Sequence, residues 1–535
     1  MIFSRFRAVP RGIAAVLSYE AERYCFARDQ QRSRGVKPIA YEYRTKKESH
    51  PLAGLRKRPG YTFTFPLTSK EDLGMGTFLM FVPLPELARL GDPLSVIRAN
   101  SQMSFDETLK IVEERIVDLL GLHTEKCQTK SIWPWAVAIE RSSRAWDVTE
   151  TALKSWIEDP SENETGDDES YAAGFRLAAS KFLLAKKPSR SPNSREVREL
   201  AELALLAPGN VLYRVVERVF DEHSNPSKRI TSVTSTSVTG LRTYLDLPDF
   251  HLLLRNQHHR QHPIAIRRAI WDGNLESVLD EHCAMLRGLG ATKPEQGIEE
   301  KILSSLTQAL TVGAGSVTVH ETGASVTRAP FRMRCHAALP FGLTGEEKES
   351  GSGKLHNDDL RVSFNSPFRP HVLATTSIGQ EGLDFHVWSR HVIHWDLPSN
   401  PVDLEQRDGR VDRYGGLAIR QALARIGPSI RATGSPWRNL AEAQEERFSG
   451  LEPWWICQGA TILRSIFVPP FSKMTDDLQT LRDHLSIYRL ALGQPDQEAL
   501  IHTLQRRVAE AGLDETEILA WLEESQINLA PKVFA

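Results

Sequence analysis

Short apolar runs in the last third of the chain alternate with polar loops and short helical patterns. Residues 331–339 alternate between apolar and polar positions, which predicts a strand. Continuous apolar runs at 372–374 and 391–395 predict two buried strands, and the spacing of apolar residues at 357–364 and 417–426 predicts helices. A strand–helix–strand order is what a parallel sheet requires, because parallel neighbours need a crossover connection.

The first thirty residues have the same character. Residues 2–6 resemble a strand, and a helix is predicted from Pro10 to about Ala27 because Ile13 and Leu17 recur at helical spacing. We therefore expect the first thirty residues and residues 311–434 to contribute to one α/β lobe.

The middle of the chain has a different pattern, mostly helices separated by polar linkers. The clearest amphipathic helix is predicted for residues 109–122, behind the cap-like sequence that begins at Ser104. Residues 231–240 are small and hydroxyl-rich, which predicts a linker or an edge strand. Residues 28–61 are basic and carry tyrosines, so they either follow a sugar–phosphate backbone or form a solvated loop.

These patterns predict three domains. A discontinuous α/β lobe, which the motif resemblance given below implies to be RecA-like, is expected from residues 1–30 and 311–434. A mainly helical insertion with a basic N-terminal loop is expected at 31–310, and a helical extension at 435–535. A chain of 535 residues is too long for one ordinary core, which agrees with several domains.

Composition and charge narrow the function only slightly. The formal net charge of −2 gives no global attraction to nucleic acid, so any such surface must be a local patch. Five scattered cysteines without a CxxC pair argue against a zinc module or a disulfide framework. No apolar run reaches the ~18 residues of a membrane span, so we predict a cytoplasmic protein with no membrane partner.

Candidate chemistry is concentrated between Val372 and Gly415. The strands predicted there end in polar loops, and open α/β sheets bind ligands at the carboxyl ends of their strands. Arg410 and Arg413 are three residues apart, so on a helix or helical turn they would project from one face. Two neighbouring guanidiniums suit a polyphosphate, since each offers a fixed fork of donors to phosphate oxygens.

Three segments resemble motifs of superfamily-two helicases and translocases. Residues 376–385 (TSIGQEGLDF) resemble motif V, and residues 406–413 (QRDGRVDR) resemble motif VI. Residues 3–6 (FSRF) resemble motif IV, the first strand of the second RecA-like lobe. The pattern is Swi/Snf-like and most similar to the bacterial RNA-polymerase-associated translocases, in which D-L-P-x-N-P precedes motif VI. The resemblance covers about residues 1–30 and 330–435.

The resemblance implies roles for residues at an ATP site between two lobes. Arg410 and Arg413 would be arginine fingers that meet charge on the γ-phosphate, and Gln406 would orient their segment. Asp384 would accept from the ribose hydroxyl or support an arginine. Gly382 would let the backbone approach the cofactor, and Glu381 would couple the nucleotide and nucleic-acid surfaces.

Nucleic-acid contacts are implied at the same edge. Thr376 would donate to a phosphate, with Ser377 beside it and Gly379 allowing close approach, and Arg5 would contact the backbone. Double-stranded DNA is the expected form. No metal ligands are predicted in this chain. Asp408 and Asp412 depart from the apolar or small residues usual in motif VI and would pair with the arginines when no nucleotide is bound.

The chain lacks the motifs of a first lobe. Residues 351–355 (GSGKL) imitate a P-loop but have Lys348 in place of the first Gly and Leu355 in place of Ser or Thr. Residues 279–282 (LDEH) imitate a DExH box but read as helix. A first lobe on another polypeptide or an upstream segment would therefore bind the ATP phosphates and magnesium. We expect the reading frame to be a fragment, one part of a split gene, or a frame whose start codon was assigned too late.

Two other classes of function remain open. A degenerate lobe would bind nucleic acid or protein without any nucleotide role. A metal-dependent nuclease is disfavoured, since no constellation of carboxylates and histidines has the required spacing.

Overall fold

In the computed structural model, one strand lies near residue 1 and the others follow residue 314, and the described elements between them in the sequence are helices. The structure describes residues 1–32, 62–67, 73–97, 103–121, 131–158, 169–186, 188, 191–220, 225–247, 250, 254, 262–290, 297–313, 315–319, 331–342, 357–376, 383–426, 457, 459–490, 503, 506–507 and 510–512.

The described elements up to residue 312 comprise one strand and a series of helices. They are β1 (Ile2–Phe3), α1 (Ala8–Arg32), α2 (Leu73–Phe81), α3 (Pro85–Leu90), α4 (Pro93–Ile97), α5 (Phe105–Leu120), α6 (Trp133–Arg141), α7 (Trp146–Glu158), α8 (Glu169–Leu183), α9 (Ser194–Leu206), α10 (Pro208–Val219), α11 (Pro226–Ser235), a π-helical segment (Thr236–Leu241), α12 (Arg242–Leu245), α13 (His262–Asp272), α14 (Leu275–Gly290) and α15 (Ile298–Thr311).

The described elements after residue 312 are six strands and four helices. They are β2 (Gly315–Val319), β3 (Phe331–Cys335), β4 (Ala338–Phe341), α16 (Asn357–Phe364), β5 (Val372–Thr375), β6 (His391–His394), α17 (Pro401–Asp408), α18 (Leu417–Ile426), β7 (Leu463–Ile466) and α19 (Met474–Leu490). The chain divides into a sheet lobe (1–19, 313–319 and 332–535) and a helical unit (20–312 and 320–331).

Five strands of the sheet lobe form one parallel sheet in the order β4–β5–β1–β6–β7. The central strand is β1, in which Ile2 lies opposite Ala374 of β5 on one side and Ile393 of β6 on the other. From β1 the chain continues to β4 on one side of the sheet, and from β6 it continues to β7 on the other, so the connections change direction between β1 and β6. Such a switch point leaves a crevice at the carboxyl ends of the strands, where ligands bind in open α/β sheets. The predicted RecA-like α/β class is confirmed.

The two faces of this sheet are covered by different helices. On one face Ile2 and Ala374 pack against Ile13 of α1. On the other, Leu404 of α17 and Leu481 of α19 pack together, with Ile466 of β7 against them. Burial of these apolar side chains on both faces explains why the strands are short, continuous apolar runs in the sequence.

Two buried polar side chains of the helical unit accept backbone N–H groups at the start of α3. Glu140 of α6 is completely buried and accepts the backbone N–H of Leu87 (2.9 Å) and of Glu86 (3.4 Å), two of the unpaired donors at the start of α3. Burial raises the pKa of Glu140 to about 8. Asn210 accepts the N–H of Leu84 at 2.9 Å. Side chains from distant segments therefore complete the caps that α3 lacks locally.

Several predicted elements agree closely with the structure. Helices α16 and α18 have the predicted bounds, and β5 and β6 differ from prediction by one residue each. The cap at Ser104 is confirmed, because its hydroxyl accepts from the Glu107 backbone while the Glu107 carboxylate accepts from the Ser104 backbone.

Three predictions of secondary structure are wrong in detail. Residues 231–240 are helical, since hydroxyls such as that of Thr234 bond the carbonyl four residues back (2.7 Å to Ile230) and the segment packs inside the helical unit. Residues 331–339 form parts of two strands, β3 and β4. The extension after 435 is not purely helical, because residues 463–466 form β7 of the parallel sheet.

The basic residues 33–61, the acidic residues 161–168 and the P-loop-like residues 351–355 lie outside the described residues. The DExH-like residues 279–282 lie within α14. Within the described ranges, no helix has both the length and the apolarity to cross a membrane.

Candidate nucleotide and nucleic-acid site

The carboxyl ends of β5, β1 and β6 meet at one edge of the sheet, as their register requires. Thr376 follows β5, Ser4 and Arg5 follow β1, and Asp396 follows β6 by one residue. Thr376 is buried. Of the other residues predicted in its loop, Ser377, Gly379, Glu381 and Gly382 lie outside the described residues.

Asp396 organises the end of β1. Its carboxylate accepts the Ser4 hydroxyl and the backbone N–H of Arg5 (3.0 Å), and the Ser4 oxygen in turn accepts the N–H of Phe6 (3.1 Å). The Arg5 side chain is exposed, with its guanidinium 5.0 Å from the centre of the Phe6 ring and its Nε 4.0 Å from Asp396. The predicted residue Arg5 is therefore accessible. Asp396 was not predicted, although its place directly after a strand was an available signal.

Helix α17 carries Gln406 and Arg407 toward the same edge. Asn400 caps its start by accepting the N–H of Val402 (2.9 Å), and Pro401 occupies its first turn. Gln406 is exposed on this helix. Arg407 is buried, donates to the Asp396 carbonyl (2.9 Å) and lies 5.6 Å from the centre of the Phe3 ring. Burial lowers the pKa of Arg407. Its position indicates a structural role at the end of β6.

Arg410 and Arg413 lie after the end of α17 and not on one face of a helix, as the sequence suggested. The helix ends at Asp408, and Gly409 is its C-cap residue, whose N–H donates to the Glu405 carbonyl at 2.9 Å. The next residues, 409–413, form a turn that carries both arginines, the arginine turn. In this turn the Asp408 carbonyl accepts the N–H groups of Val411 and Asp412. The motif VI segment is thus the end of a helix and a turn.

The two arginines contact successive residues of the loop that follows β5. Arg410 is 7% exposed, and its Nη1 donates to the Leu383 carbonyl at 3.0 Å. Its own carbonyl accepts the N–H of Phe385 at 2.9 Å. Arg413 is 39% exposed, and its Nη1 lies 2.7 Å from Oδ1 of Asp384, itself 44% exposed. Arg410 therefore fixes the loop to the turn, whereas Arg413 forms an accessible ion pair.

The acidic residues of motif VI have partners that differ from those predicted. Asp408 pairs with Arg464 of β7 (2.6 Å) and not with Arg410 or Arg413. The carboxylate that pairs with Arg413 is Asp384. Burial raises the pKa of Asp412, whose side chain has no ion pair within the described ranges.

Two further groups shape the site and were not predicted. Arg420 of α18 is fully buried and donates to the carbonyls of Gly415 (2.7 Å) and Val387 (2.6 Å), which holds the ends of both loops. Its only sequence signal was a cation at a core-facing position of α18. Burial lowers the pKa of His386, which therefore stays neutral next to Asp384 and Arg413. No cluster of three metal-ligating side chains occurs in the part of the chain that the structure describes.

Comparison with known families places this edge in a recognised domain. Residues 352–415 match the helicase conserved C-terminal domain, a segment that includes β5, the loop after it, α17 and the arginine turn. The sheet lobe therefore resembles the C-terminal lobe of a superfamily-two helicase, as predicted.

Curated relatives support the same conclusion over a limited part of the chain. The RNA polymerase-associated protein RapA of Pseudomonas fluorescens (strain Pf0-1) is 30% identical over 203 residues, which is 36% of this chain and 20% of the relative. RapA of P. fluorescens (strain SBW25) is 37% identical over 84 residues, 16% of this chain and 8% of the relative. RapA of P. putida (strain W619) is 33% identical over 90 residues, 17% of this chain and 9% of the relative.

The chain thus aligns with a fifth or less of the length of each of these RapA proteins. No solved structure gives a significant match.

Proposed function

We propose that this chain supplies the second RecA-like lobe of an ATP-dependent DNA helicase or translocase, and that a first lobe elsewhere completes its ATP site. The observation that carries the proposal is the arginine turn. Arg410 and Arg413 contact Leu383 and Asp384, successive residues after β5, at the switch point of a parallel sheet. Both segments lie within the match to the helicase C-terminal domain.

The donor set of this turn fits a polyphosphate. Arg413 is half exposed and already holds an anion, so exchanging the Asp384 carboxylate for phosphate oxygens replaces one anionic partner with another. When bound, ATP supplies the phosphoryl group whose transfer to water drives movement on DNA. In this role Arg413 stabilises negative charge on the γ-phosphate, an effect worth about 10³–10⁵ in rate for arginine fingers.

Arg410 has a different immediate role in this geometry. Its guanidinium and its carbonyl both bond the 383–385 segment, so it sets the distance between the turn and the loop after β5. We propose that Arg410 keeps Asp384 and Arg413 at the edge of the sheet and reaches phosphate only when it leaves the Leu383 carbonyl. Gln406, exposed on α17 one turn earlier, remains a candidate for orienting the segment.

DNA contacts are proposed for the end of β1. Asp396 fixes the backbone at Arg5, which leaves the guanidinium exposed for a phosphate of the DNA backbone. Thr376 is buried at the end of β5, so its contribution would be made through the loop that it begins.

The decisive experiment measures ATP hydrolysis by the purified chain, by a separately produced first RecA-like lobe, and by their mixture, with and without double-stranded DNA. We expect DNA-stimulated turnover only in the mixture. Arg413→Ala and Arg410→Ala should each reduce kcat by about 10³ or more. Arg425→Ala, which removes an exposed arginine of α18, is the matched control and should leave kcat unchanged. Undiminished turnover in both arginine variants would contradict the proposal.

The burial of Arg410 favours one alternative, a lobe that binds nucleic acid or protein without a nucleotide role. In that case Arg410 is only a structural clamp and Arg413 only a surface ion pair. The alternative predicts DNA binding by the chain that neither ATP nor the first lobe alters, and no ATP turnover in any mixture.

A further inference from the structure

Asp408 connects the arginine turn to β6 and β7, two neighbouring strands at one side of the sheet. Its Oδ2 accepts from Nε of Arg464 on β7 at 2.6 Å, and its Oδ1 lies 3.7 Å from Nε2 of His394 on β6. Arg464 lies opposite Val392 in the strand register, so Arg464 and His394 point to the same face of the sheet. One carboxylate therefore reaches both β6 and β7 from the end of α17.

The backbone of Asp408 is the support of the turn. Its carbonyl accepts the N–H of Val411 at 3.0 Å and of Asp412 at 3.1 Å. Arg410 lies between Asp408 and Val411 in the chain, and it bonds Leu383 and Phe385 in the loop after β5. A displacement of Asp408 therefore moves the turn, and through Arg410 it moves the loop that contains Asp384.

An aspartate at this position needs a cation. The carboxyl end of a helix carries a partial negative charge, so an anionic side chain on the last helical residue is unfavourable by itself. Arg464 supplies the compensating charge at hydrogen-bond distance. His394 adds no hydrogen bond, because within the described ranges neither of its buried ring nitrogens has a hydrogen-bond partner and Nε2 is 3.7 Å from Asp408. Arg464 is therefore the group that holds Asp408 in place.

We infer that Asp408 and Arg464 form a positioning pair for the arginine turn, acting on catalysis through Arg410 and Arg413 without touching nucleotide or DNA. The inference rests on the proposed function, in which that turn delivers a guanidinium to phosphate. It gives β7, from a region that resembled a helical tail in sequence, a part in the geometry of the ATP site.

The first test measures hydrogen exchange at the amides of Val411, Asp412 and Phe385 in the full chain. Asp408→Asn and Arg464→Gln should each speed exchange at these amides by about threefold to fivefold, the range that a partly exposed ion pair supports. The exchanged double variant Asp408→Arg with Arg464→Asp should recover part of the protection. Asp412→Asn removes the same charge from the same turn without breaking the pair and should leave Phe385 unchanged.

The second test measures DNA-stimulated ATP turnover in the mixture with a first lobe. Asp408→Asn should lower kcat by about the same factor as the change in exchange, with KM unchanged, and the exchanged double variant should recover part of kcat. Unaltered exchange in Asp408→Asn and Arg464→Gln would overturn the pairing itself.

The two arms separate failure of the inference from failure of the proposed function. If exchange rises but kcat stays unchanged while Arg413→Ala abolishes turnover, the positioning role is overturned and the proposed function stands. If Arg413→Ala and Arg410→Ala also leave turnover unchanged, the proposed function fails, and the catalytic part of the inference is overturned with it.

Discussion

Arg214 in the helical unit and Arg413 in the sheet lobe are held in opposite ways. In the helical unit, Arg214 is 2% exposed and uses all five N–H donors, on Glu276 and on the carbonyls of Ala88, Ala204 and Leu205. In the sheet lobe, Arg413 is 39% exposed, and its guanidinium bonds the Asp384 carboxylate and the Gly409 carbonyl. A guanidinium whose donors are all used and buried stabilises the fold, whereas one with open donors can exchange partners.

The largest expected effect is that of replacing Arg214, the buried arginine of this comparison. Arg214→Met should lower the free energy of unfolding by about 3–5 kcal/mol, because Glu276 is left buried with one cation fewer and three carbonyls lose their donor. The matched change in the lobe, Arg413→Met, should lower it by less than about 1 kcal/mol. Urea denaturation measures both, with Arg195→Met, an exposed arginine of α9, as the control. Equal losses for Arg214 and Arg413 would remove the distinction.

A second test uses the pH dependence of a buried acid in the helical unit. The pKa of Glu140 is raised to about 8, so the folded chain binds this proton more tightly than the unfolded chain does. Its contribution to stability is therefore complete below the unfolded pKa near 4.5 and is lost as the pH rises through about 8.

We expect the wild type to lose roughly 3 kcal/mol more of its unfolding free energy than Glu140→Gln between pH 5 and pH 8. Denaturation curves at pH 5, 6.5 and 8 for both proteins measure this difference. Parallel pH profiles would show that Glu140 titrates normally and that its burial is not maintained in solution.

The smallest expected effect is that of replacing Arg5, an exposed arginine of the sheet lobe. Arg5→Gln should weaken binding of double-stranded DNA by a few-fold at moderate salt and reduce the slope of log affinity against log salt by about 0.9, as expected for the loss of one phosphate contact. Arg195→Gln in the helical unit is the matched control and should not change the slope. Fluorescence anisotropy over a salt series measures both. An unchanged slope in Arg5→Gln would place DNA elsewhere on the chain.

The predictable parts of this molecule are those in which local pattern and local structure agree. Helix α16 and strand β5 follow from apolar spacing and the prolines between them, and the position of the site follows from loops after parallel strands. The hydroxyl-rich residues 231–240 were misjudged because their preference for turns is overridden by packing within the helical unit. Strand β7 was missed because its partner β6 lies far away in sequence.

The geometry of the site was less predictable than its position. Motif spacing made Arg410 and Arg413 candidates, but it did not indicate which of the two would be buried. The partner of Arg410 is a carbonyl 27 residues earlier, and the partner of Asp408 lies 56 residues later. Such pairings depend on how the strands are ordered in the sheet, which the residues of one segment do not specify.

The central position of β1 in the sheet has a consequence for folding during synthesis on the ribosome. Ser4 must find Asp396, 392 residues later in the chain. At synthesis rates of about 5–20 residues per second, β1 is made on the order of 20–80 s before β6, one of the two strands that flank it. During that interval its apolar residues lack their native cover, so we expect a nascent chain of this protein to depend on chaperones more than its helical unit alone would.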